Sequence, residues 1–145
     1  MQRENHRANL NNLLSSSSGF VDRVRDLKGR IGYNAPDGTN CMRTMGLALS
    51  GTPYEGQINV DQAISTAKEI GDLHAFGDGY RPRAGDMAVV NGGKHVVMLT
   101  ENGGTIQNGE SHNGVYEDKR SPEQIFGKVD YWISSSRYAG GINRR

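Results

Sequence analysis

The hydrophobic pattern divides the chain into a helical first part and a stranded second part. Between residue 19 and Gly32, apolar side chains recur three or four positions apart, which is the spacing of one face of an α-helix. The residues on this face are Phe20, Val24, Leu27 and Ile31. The pattern therefore predicts a first amphipathic helix that ends near the glycine.

A second helix is predicted directly after a loop. Residues 32–40 are rich in turn-forming types, and helical spacing resumes at Cys41 and stops at Gly51. Thr39 or Asn40 is suited to cap this helix, because a short polar side chain can accept a hydrogen bond from the first free backbone N–H groups. The cysteine is therefore expected in the first helical turn.

Two more helices are predicted from their start and stop signals. One runs from about residue 60 to residue 70, where Gly71 is suited to end it. A short one follows Ser121, because Pro122 suits the first helical position and Gln124 can complete a capping box.

The second part of the chain carries short apolar runs instead of helical spacing. Residues 86–90 and 95–99 are two such runs, and the pair Asn102-Gly103 that follows is a strong signal for a hairpin turn. Residues 105–107 begin the returning strand, and residues 128–133 form a final one. Helices followed by an antiparallel sheet define an α+β fold class.

The length of 145 residues fits one domain. Residues 1–18 are polar and end in a run of serines, which predicts a tail or linker. Residues 19–133 carry the predicted helices and strands and form the expected domain. Residues 134–145 are rich in Ser, Gly and Arg and are expected to be a flexible C-terminal tail.

Charge and cysteine content exclude several classes of protein. The net charge is only +1, so the chain lacks the basic surface expected of a nucleic-acid-binding protein. One cysteine cannot form an intramolecular disulfide or a thiolate zinc site, and we expect no metal and no cofactor. No apolar run approaches the roughly 20 residues that span a bilayer, and the polar N-terminus lacks the apolar core of a signal peptide.

The single cysteine, Cys41, is the strongest candidate for chemistry. A lone cysteine is most often an inert, buried small residue. At the start of a helix, however, the helix dipole and the free N–H groups favour the thiolate, which is the nucleophilic form. The same N–H groups can stabilise an oxyanion. The position therefore predicts a nucleophile.

A nucleophilic cysteine needs a base, and His95 is the best candidate in the sequence. It opens an apolar strand far from Cys41 in the chain, where a rigid scaffold can orient its ring. The other three histidines lie in polar or loop-like segments: His6, His74 and His112.

Three segments give the sequence a family resemblance. Residues 38–41, Gly-Thr-Asn-Cys before a helix, resemble the nucleophile segment of the NlpC-type cell-wall peptidases and the related CHAP amidases. Residues 81–90 resemble the Gly-Asp strand of these families, and residues 94–106 resemble the His-Val hairpin that follows it. The likeness covers about residues 19–133. Met42 and Arg43 stand where the families usually have Ser and Gly, which indicates a divergent branch.

The resemblance implies further site residues. Tyr33 matches a tyrosine that lines the family's site, although a partly buried loop aromatic would look the same. The third catalytic member, which orients the histidine, stays open between Gln107 in the peptidase pattern and Glu110 in the amidase pattern. Strand geometry adds Asn108, because a two-residue turn would put it on the face of His95, whereas one more loop residue would select Gln107.

The resemblance also implies a fold and a function. The fold would be papain-like, with the N-terminal helices packed on a small antiparallel sheet. The activity would be thiol-dependent cleavage of an amide bond in bacterial peptidoglycan peptides, by an endopeptidase or amidase. A protein with this activity would be secreted, periplasmic or delivered to the cell wall. Its expected partners are an immunity protein or a larger parent protein.

Two alternative functions use the same residues or the same fold. A papain-like toxin or effector domain would cleave or deamidate a host or competitor protein with the same cysteine and histidine. An inactive binding module would keep the fold without the activity.

Overall fold

The computed structural model of the protein describes residues 18–33 and 40–139. The predicted N-terminal tail, residues 1–18, lies outside these residues apart from Ser18, which begins the first helix. Most of the predicted loop at 32–40 lies outside them as well, and so does the predicted cap Thr39.

Three helices precede the main body of the sheet, as the apolar spacing predicts. Their bounds are α1 Ser18–Asp26, α2 Cys41–Ala48 and α3 Val60–Ile70, and a short α4, Pro122–Phe126, comes later in the chain. Helix α1 is shorter than predicted, because residues 27–30 form turns. Helices α3 and α4 begin with the reciprocal hydrogen bonds of a capping box.

The strands form one six-stranded antiparallel sheet. Their bounds are β1 Leu73–Ala75, β2 Met87–Val90, β3 His95–Leu99, β4 Thr105–Gly109, β5 Gly114–Asp118 and β6 Tyr131–Ile133. In space they follow the order β1-β6-β2-β3-β4-β5. Helices that lead into an antiparallel sheet confirm the predicted α+β class.

Strands β1 and β5 are absent from the sequence prediction. Strand β1 has only three residues, Leu-His-Ala, and strand β5 mixes Gly, Tyr and two acids, so neither shows an apolar run or a clear alternation. Both lie at the edges of the sheet, where pairing with one neighbour forms a strand in spite of weak local preference.

The sheet has an apolar cluster on each face. The larger cluster lies between the sheet and the three N-terminal helices, and it includes Phe20 of α1 and Met45 of α2. The smaller one lies on the opposite face, around Val97 and Trp132, with Phe126 of α4 packed against it. Strand residues therefore alternate between two buried environments, which is why β2 and β3 read as continuous apolar runs.

Helix α2 lies unusually close to the loop that precedes α3. A Cβ atom added at Gly46 would come 2.5 Å from the carbonyl oxygen of Gln57, a separation that real structures do not allow. The backbone N–H of Gly56 donates to the Gly46 carbonyl at 3.1 Å. The glycine therefore lets the loop, which carries Ile58 and Asn59, pack directly on the helix that carries Cys41.

Two buried aspartates hold the C-terminal segment in place. Asp72 is fully buried and accepts hydrogen bonds from the hydroxyls of Tyr54 at 2.7 Å and Tyr138 at 2.8 Å, and it pairs with Arg137 at 2.9 Å. Asp86 accepts from the backbone N–H of Ser136 at 2.9 Å. Residues 134–139 are thus packed against the domain, although the sequence predicts them as part of a flexible tail. The rest of that predicted tail, residues 140–145, lies outside the described part of the chain.

One arginine joins helix α1 to the loop after β3 and to strand β5. Arg25 donates to both carboxylate oxygens of Glu101, at 2.6 and 2.7 Å, and of Glu117, at 2.9 and 3.0 Å. It also pairs with Asp22 at 2.8 Å. Hydrogen bonding to Arg25 holds the pKa of the Glu101 carboxyl below its usual range. The charges of this cluster are about one-third exposed, so solvent screens them. The cluster therefore positions α1 against its partners more than it stabilises the fold.

Replacing Asp72 should destabilise the fold strongly. The two tyrosine hydroxyls share Oδ2 of Asp72, and Arg137 pairs with Oδ1. In Asp72→Asn one of these oxygens becomes an amide donor, so either the tyrosines or Arg137 lose their acceptor, and the ion pair is lost in both cases. We expect the free energy of unfolding, measured by urea denaturation, to fall by about 2–4 kcal/mol. Asp26→Asn is the matched control, because Asp26 is exposed and should change the value by less than about 0.5 kcal/mol. Equal effects of the two substitutions would contradict the anchoring role.

Candidate active site

Cys41 occupies the first position of α2, and the local sequence explains why the helix begins there. The side chain of Asn40 accepts a hydrogen bond from the backbone N–H of Arg43 at 2.9 Å, which makes it the N-cap. The carbonyl of Asn40 accepts from both the backbone N–H and the hydroxyl of Thr44, each at 3.0 Å. The backbone N–H groups of Cys41 and Met42 therefore belong to the free N-terminal end of the helix.

The predicted residues Tyr33, Cys41 and His95 line one cleft. Its volume is about 540 Å³, and the loop before α3 and the turn after β2 complete its walls. Two charged side chains stand in the lining, Asp61 and Lys94. The fold therefore brings the lone cysteine and a histidine that lies 54 positions later (95 minus 41) to the same concave surface.

Gln107 fixes the ring of His95. The two side chains meet at 2.7 Å, between Nε2 of the histidine and Oε1 of the glutamine. With the amide oxygen facing the ring, Nε2 carries the proton and donates, so the neutral imidazole keeps a lone pair on Nδ1. A histidine in this tautomer can accept a proton at Nδ1 without changing its contact to Gln107.

The loop of the β3–β4 hairpin selects Gln107 over Asn108. The backbone N–H of Thr100 donates to the carbonyl of Gly104 at 3.0 Å, and Gly103 has a φ of +80°, so three residues form the loop instead of the expected two. The register pairs Leu99 with Thr105, and its extension sets Gln107 on the same face as His95.

Asn108 and Glu110 do not touch the histidine. Asn108 is fully buried on the opposite face of β4 and donates to the hydroxyl of Thr44 in α2 at 2.9 Å. It thus ties the cysteine's helix to the sheet. Glu110 is exposed and begins a short 3₁₀ turn, Glu110–His112, beyond the end of β4. Of the three residues considered for the third position, only Gln107 contacts His95.

Burial shifts the cysteine and the histidine toward their neutral forms. It raises the pKa of the Cys41 thiol, although hydrogen bonds from the backbone N–H groups of Val96, Met42 and Cys41 itself oppose the rise. Burial also lowers the pKa of the His95 imidazole, while the hydrogen bond to Gln107 acts the other way. The sequence predicts a thiolate favoured by the helix N-terminus, but the cost of desolvating the anion is larger here.

Phe126 is a site residue that sequence reasoning missed. Its ring centre lies 5.6 Å from that of His95, with the planes tilted by 56°. Phe126 is the last residue of α4, which the sequence predicts, but the docking of that helix on the sheet is a long-range contact. No local pattern therefore indicates that the aromatic side chain reaches the histidine.

No protein-family model, curated protein or solved structure matches this chain. Among the described helices, none has the length and apolar character needed to cross a membrane. The described residues contain no group of three or more His, Cys, Asp or Glu side chains arranged to hold a metal ion.

The thiol of Cys41 should react slowly with an alkylating reagent in the folded protein. Only the thiolate reacts, and burial disfavours it, so iodoacetamide should modify the folded chain more slowly at pH 7 than the chain unfolded in urea. The rate should rise with pH through an inflection above that of the unfolded chain. Mass spectrometry of the modified protein measures both rates, and an inflection below that of the unfolded chain would contradict the burial argument.

Substitutions at Gln107 should move the pKa of His95 in opposite directions. Gln107→Glu places an anion beside Nε2 and should raise the pKa, whereas Gln107→Leu removes the acceptor and should lower it. Titration of the ring protons by NMR reports the change without any substrate. Gln62→Glu is the control, because it adds the same charge at a residue that does not line the cleft. The same pKa in both Gln107 variants would refute the contact.

Proposed function

We propose that this protein is a thiol hydrolase that cleaves an amide bond in bacterial peptidoglycan peptides. The observation that carries the proposal is the shared cleft, in which Cys41 at a helix N-terminus stands with a histidine fixed by Gln107. The combination of a nucleophile, a base and a residue that orients the base is the general requirement for covalent catalysis of acyl transfer.

The first half of the reaction forms a thioester. Nδ1 of His95 accepts the thiol proton of Cys41 as Sγ attacks the amide carbon, and the Sγ–C bond forms. The oxyanion is held by the backbone N–H groups of Cys41 and Met42, whose place at the start of α2 adds the favourable field of the helix. The C–N bond then breaks, and the imidazolium returns its proton to the departing amine.

The second half restores the enzyme. Nδ1 of His95 takes a proton from a water molecule, whose oxygen attacks the thioester carbon. The Sγ–C bond breaks, the product leaves as a carboxylic acid, and the proton on His95 passes to the Cys41 thiolate, which restores the thiol. The net reaction consumes one water and gives one amine and one acid.

Neutral resting groups change how the nucleophile is activated. Because burial raises the pKa of Cys41 and lowers that of His95, the free protein holds a thiol and an imidazole instead of an ion pair. The proton transfer then accompanies the attack, so His95 acts as a general base. On the acid side, the pH profile of kcat/KM should therefore fall off with a pKa below that of an ordinary imidazole, since protonation of His95 removes the base.

The substrate class is supported by the resemblance to the NlpC-type and CHAP families. The Gly-Asp strand corresponds to β2, and the His-Val hairpin corresponds to β3 and β4. The cleft beside Cys41 is concave and combines apolar side chains, such as Met42, Ile58 and Val60, with polar ones that could orient a peptide. A papain-like fold and a location outside the bacterial cytoplasm belong to the same proposal.

A non-enzymatic binding module is the alternative that one observation favours. Cys41 is only 9% exposed, and its thiol is shifted toward the unreactive form. A protein that kept the fold and lost the activity would look similar in this respect. A toxin or effector that cleaves or deamidates proteins would share the whole site, so the substrate assay separates it.

Digestion of purified peptidoglycan is the decisive assay. Sacculi of several chemical types are incubated with the protein, and released muropeptides are identified by mass spectrometry. We expect defined fragments from at least one type, and a rate loss of more than about 10³-fold in Cys41→Ala and in His95→Ala. His74→Asn is the matched control, because His74 lies on β1, outside the cleft, and should retain activity.

The outcomes separate the three functions. Absence of fragments from every wall type would overturn the peptidoglycan proposal. Cysteine-dependent cleavage or ammonia release from proteins would then identify an effector. An assay in which wild type and Cys41→Ala behave alike on every substrate would identify a binding module.

A further inference from the structure

A second cleft begins on the other side of His95. Its volume is about 520 Å³, and it shares three lining residues with the first cleft: Tyr33, Lys94 and His95. Its remaining walls include the end of β4, the 3₁₀ turn that follows, Tyr116 of β5, Arg120 and Phe126 of α4. Cys41 lines only the first cleft, so the two form one groove with the histidine at the junction.

The order of groups along this groove gives each cleft a role. During acyl transfer the acyl carbon bonds to the sulfur of Cys41, so the acyl half of a substrate lies in the first cleft. The departing amine takes its proton from His95 and must lie beside the ring. On the far side of the His95 ring the groove continues into the second cleft, which is therefore where the leaving half extends.

The second cleft contains a buried hydrogen-bond donor without a partner. Gln107 lines the cleft and is 2% exposed, and its Oε1 is occupied by His95. Its Nε2 has no hydrogen-bond partner among the described residues. Leaving a buried amide donor unpaired is costly, and a ligand oxygen would remove that cost. We therefore expect a ligand of this cleft to carry a hydrogen-bond acceptor that faces Gln107 Nε2.

The charges around this donor favour a negative acceptor. Lys94 is exposed at the junction and has no ion-pair partner among the described residues. Arg120 also lines the cleft, but Asp118 neutralises it at 2.7 Å. Glu110 is the single acid in the lining, and it is exposed. The unneutralised cation and the unpaired N–H group together suit a carboxylate.

We propose that the second cleft binds the leaving half of the substrate and recognises a free carboxylate on it through Gln107 Nε2 and the ammonium group of Lys94. The assignment of the two halves rests on the proposed function. The carboxylate preference rests on the donors alone. The substrate class is thus narrowed to peptides whose leaving half ends in, or carries, an uncapped carboxylic acid.

Binding of short peptides tests the site without catalysis. The probes are L-alanyl-L-alanine and D-alanyl-D-alanine, each compared with its C-terminal amide, and the readout is the NMR signal of the Gln107 side-chain NH₂ group. We expect the acid of at least one pair to shift this signal and to bind about tenfold more tightly than its amide, because only the acid offers charge-assisted hydrogen bonds.

Three substitutions sharpen the result. Lys94→Met should weaken binding of the acid peptide about threefold, as expected for an exposed charge pair, and should leave binding of the amide unchanged. Glu110→Gln should strengthen binding of the acid peptide, because this substitution removes a negative charge that repels the carboxylate. Lys128→Met is the control, since Lys128 lies over Phe76 and outside the second cleft, and it should have no effect.

Failure of this inference can be told apart from failure of the proposed function. Equal binding of acid and amide, or no shift of the Gln107 signal up to the solubility limit of all four peptides, overturns the carboxylate site even where muropeptides are released. Acid-selective binding that depends on Lys94 supports the site even where no wall type is digested.

Discussion

The register of the β3–β4 hairpin is the constraint on which the site depends. Side chains alternate along a strand, so a shift by one residue moves every side chain of β4 to the other face. The three-residue loop closed by Thr100 and Gly104 sets Gln107 beside His95. The same register turns Asn108 toward Thr44 and the helix of Cys41. One loop residue thus decides which amide contacts His95 and which one anchors the helix of Cys41.

Burial is the second force that shapes the site, and it opposes the helix N-terminus. The free N–H groups at the start of α2 favour a negative sulfur. Burial of Cys41, however, destabilises the thiolate more than these groups stabilise it, so the pKa of the thiol is raised. Burial of His95 likewise favours the uncharged ring. In the proposed reaction, the helix N-terminus would act mainly on the charge that develops on the oxyanion, and not on a resting thiolate.

Polar anchors position the elements that carry these groups. Asp72 and Asp86 are fully buried, and each accepts hydrogen bonds from segments distant in sequence, which ties the C-terminal residues to the sheet. Arg25 holds α1 against the loop after β3 and against β5. Each anchor has directional hydrogen-bond partners, so these contacts specify one arrangement of the elements. The apolar clusters alone would tolerate several.

Local pattern determined most helices and the central strands, because capping residues, glycine stops and apolar runs act within a few positions of the chain. Asn40, Gly71 and Ser121 mark helix ends that the structure confirms, and His95 opens the predicted strand. The tertiary structure decided the edge strands, the choice of Gln107, the neutral state of the cysteine and the contact of Phe126. These depend on pairing partners, loop length and burial, which act between residues far apart in sequence and leave no periodic signal.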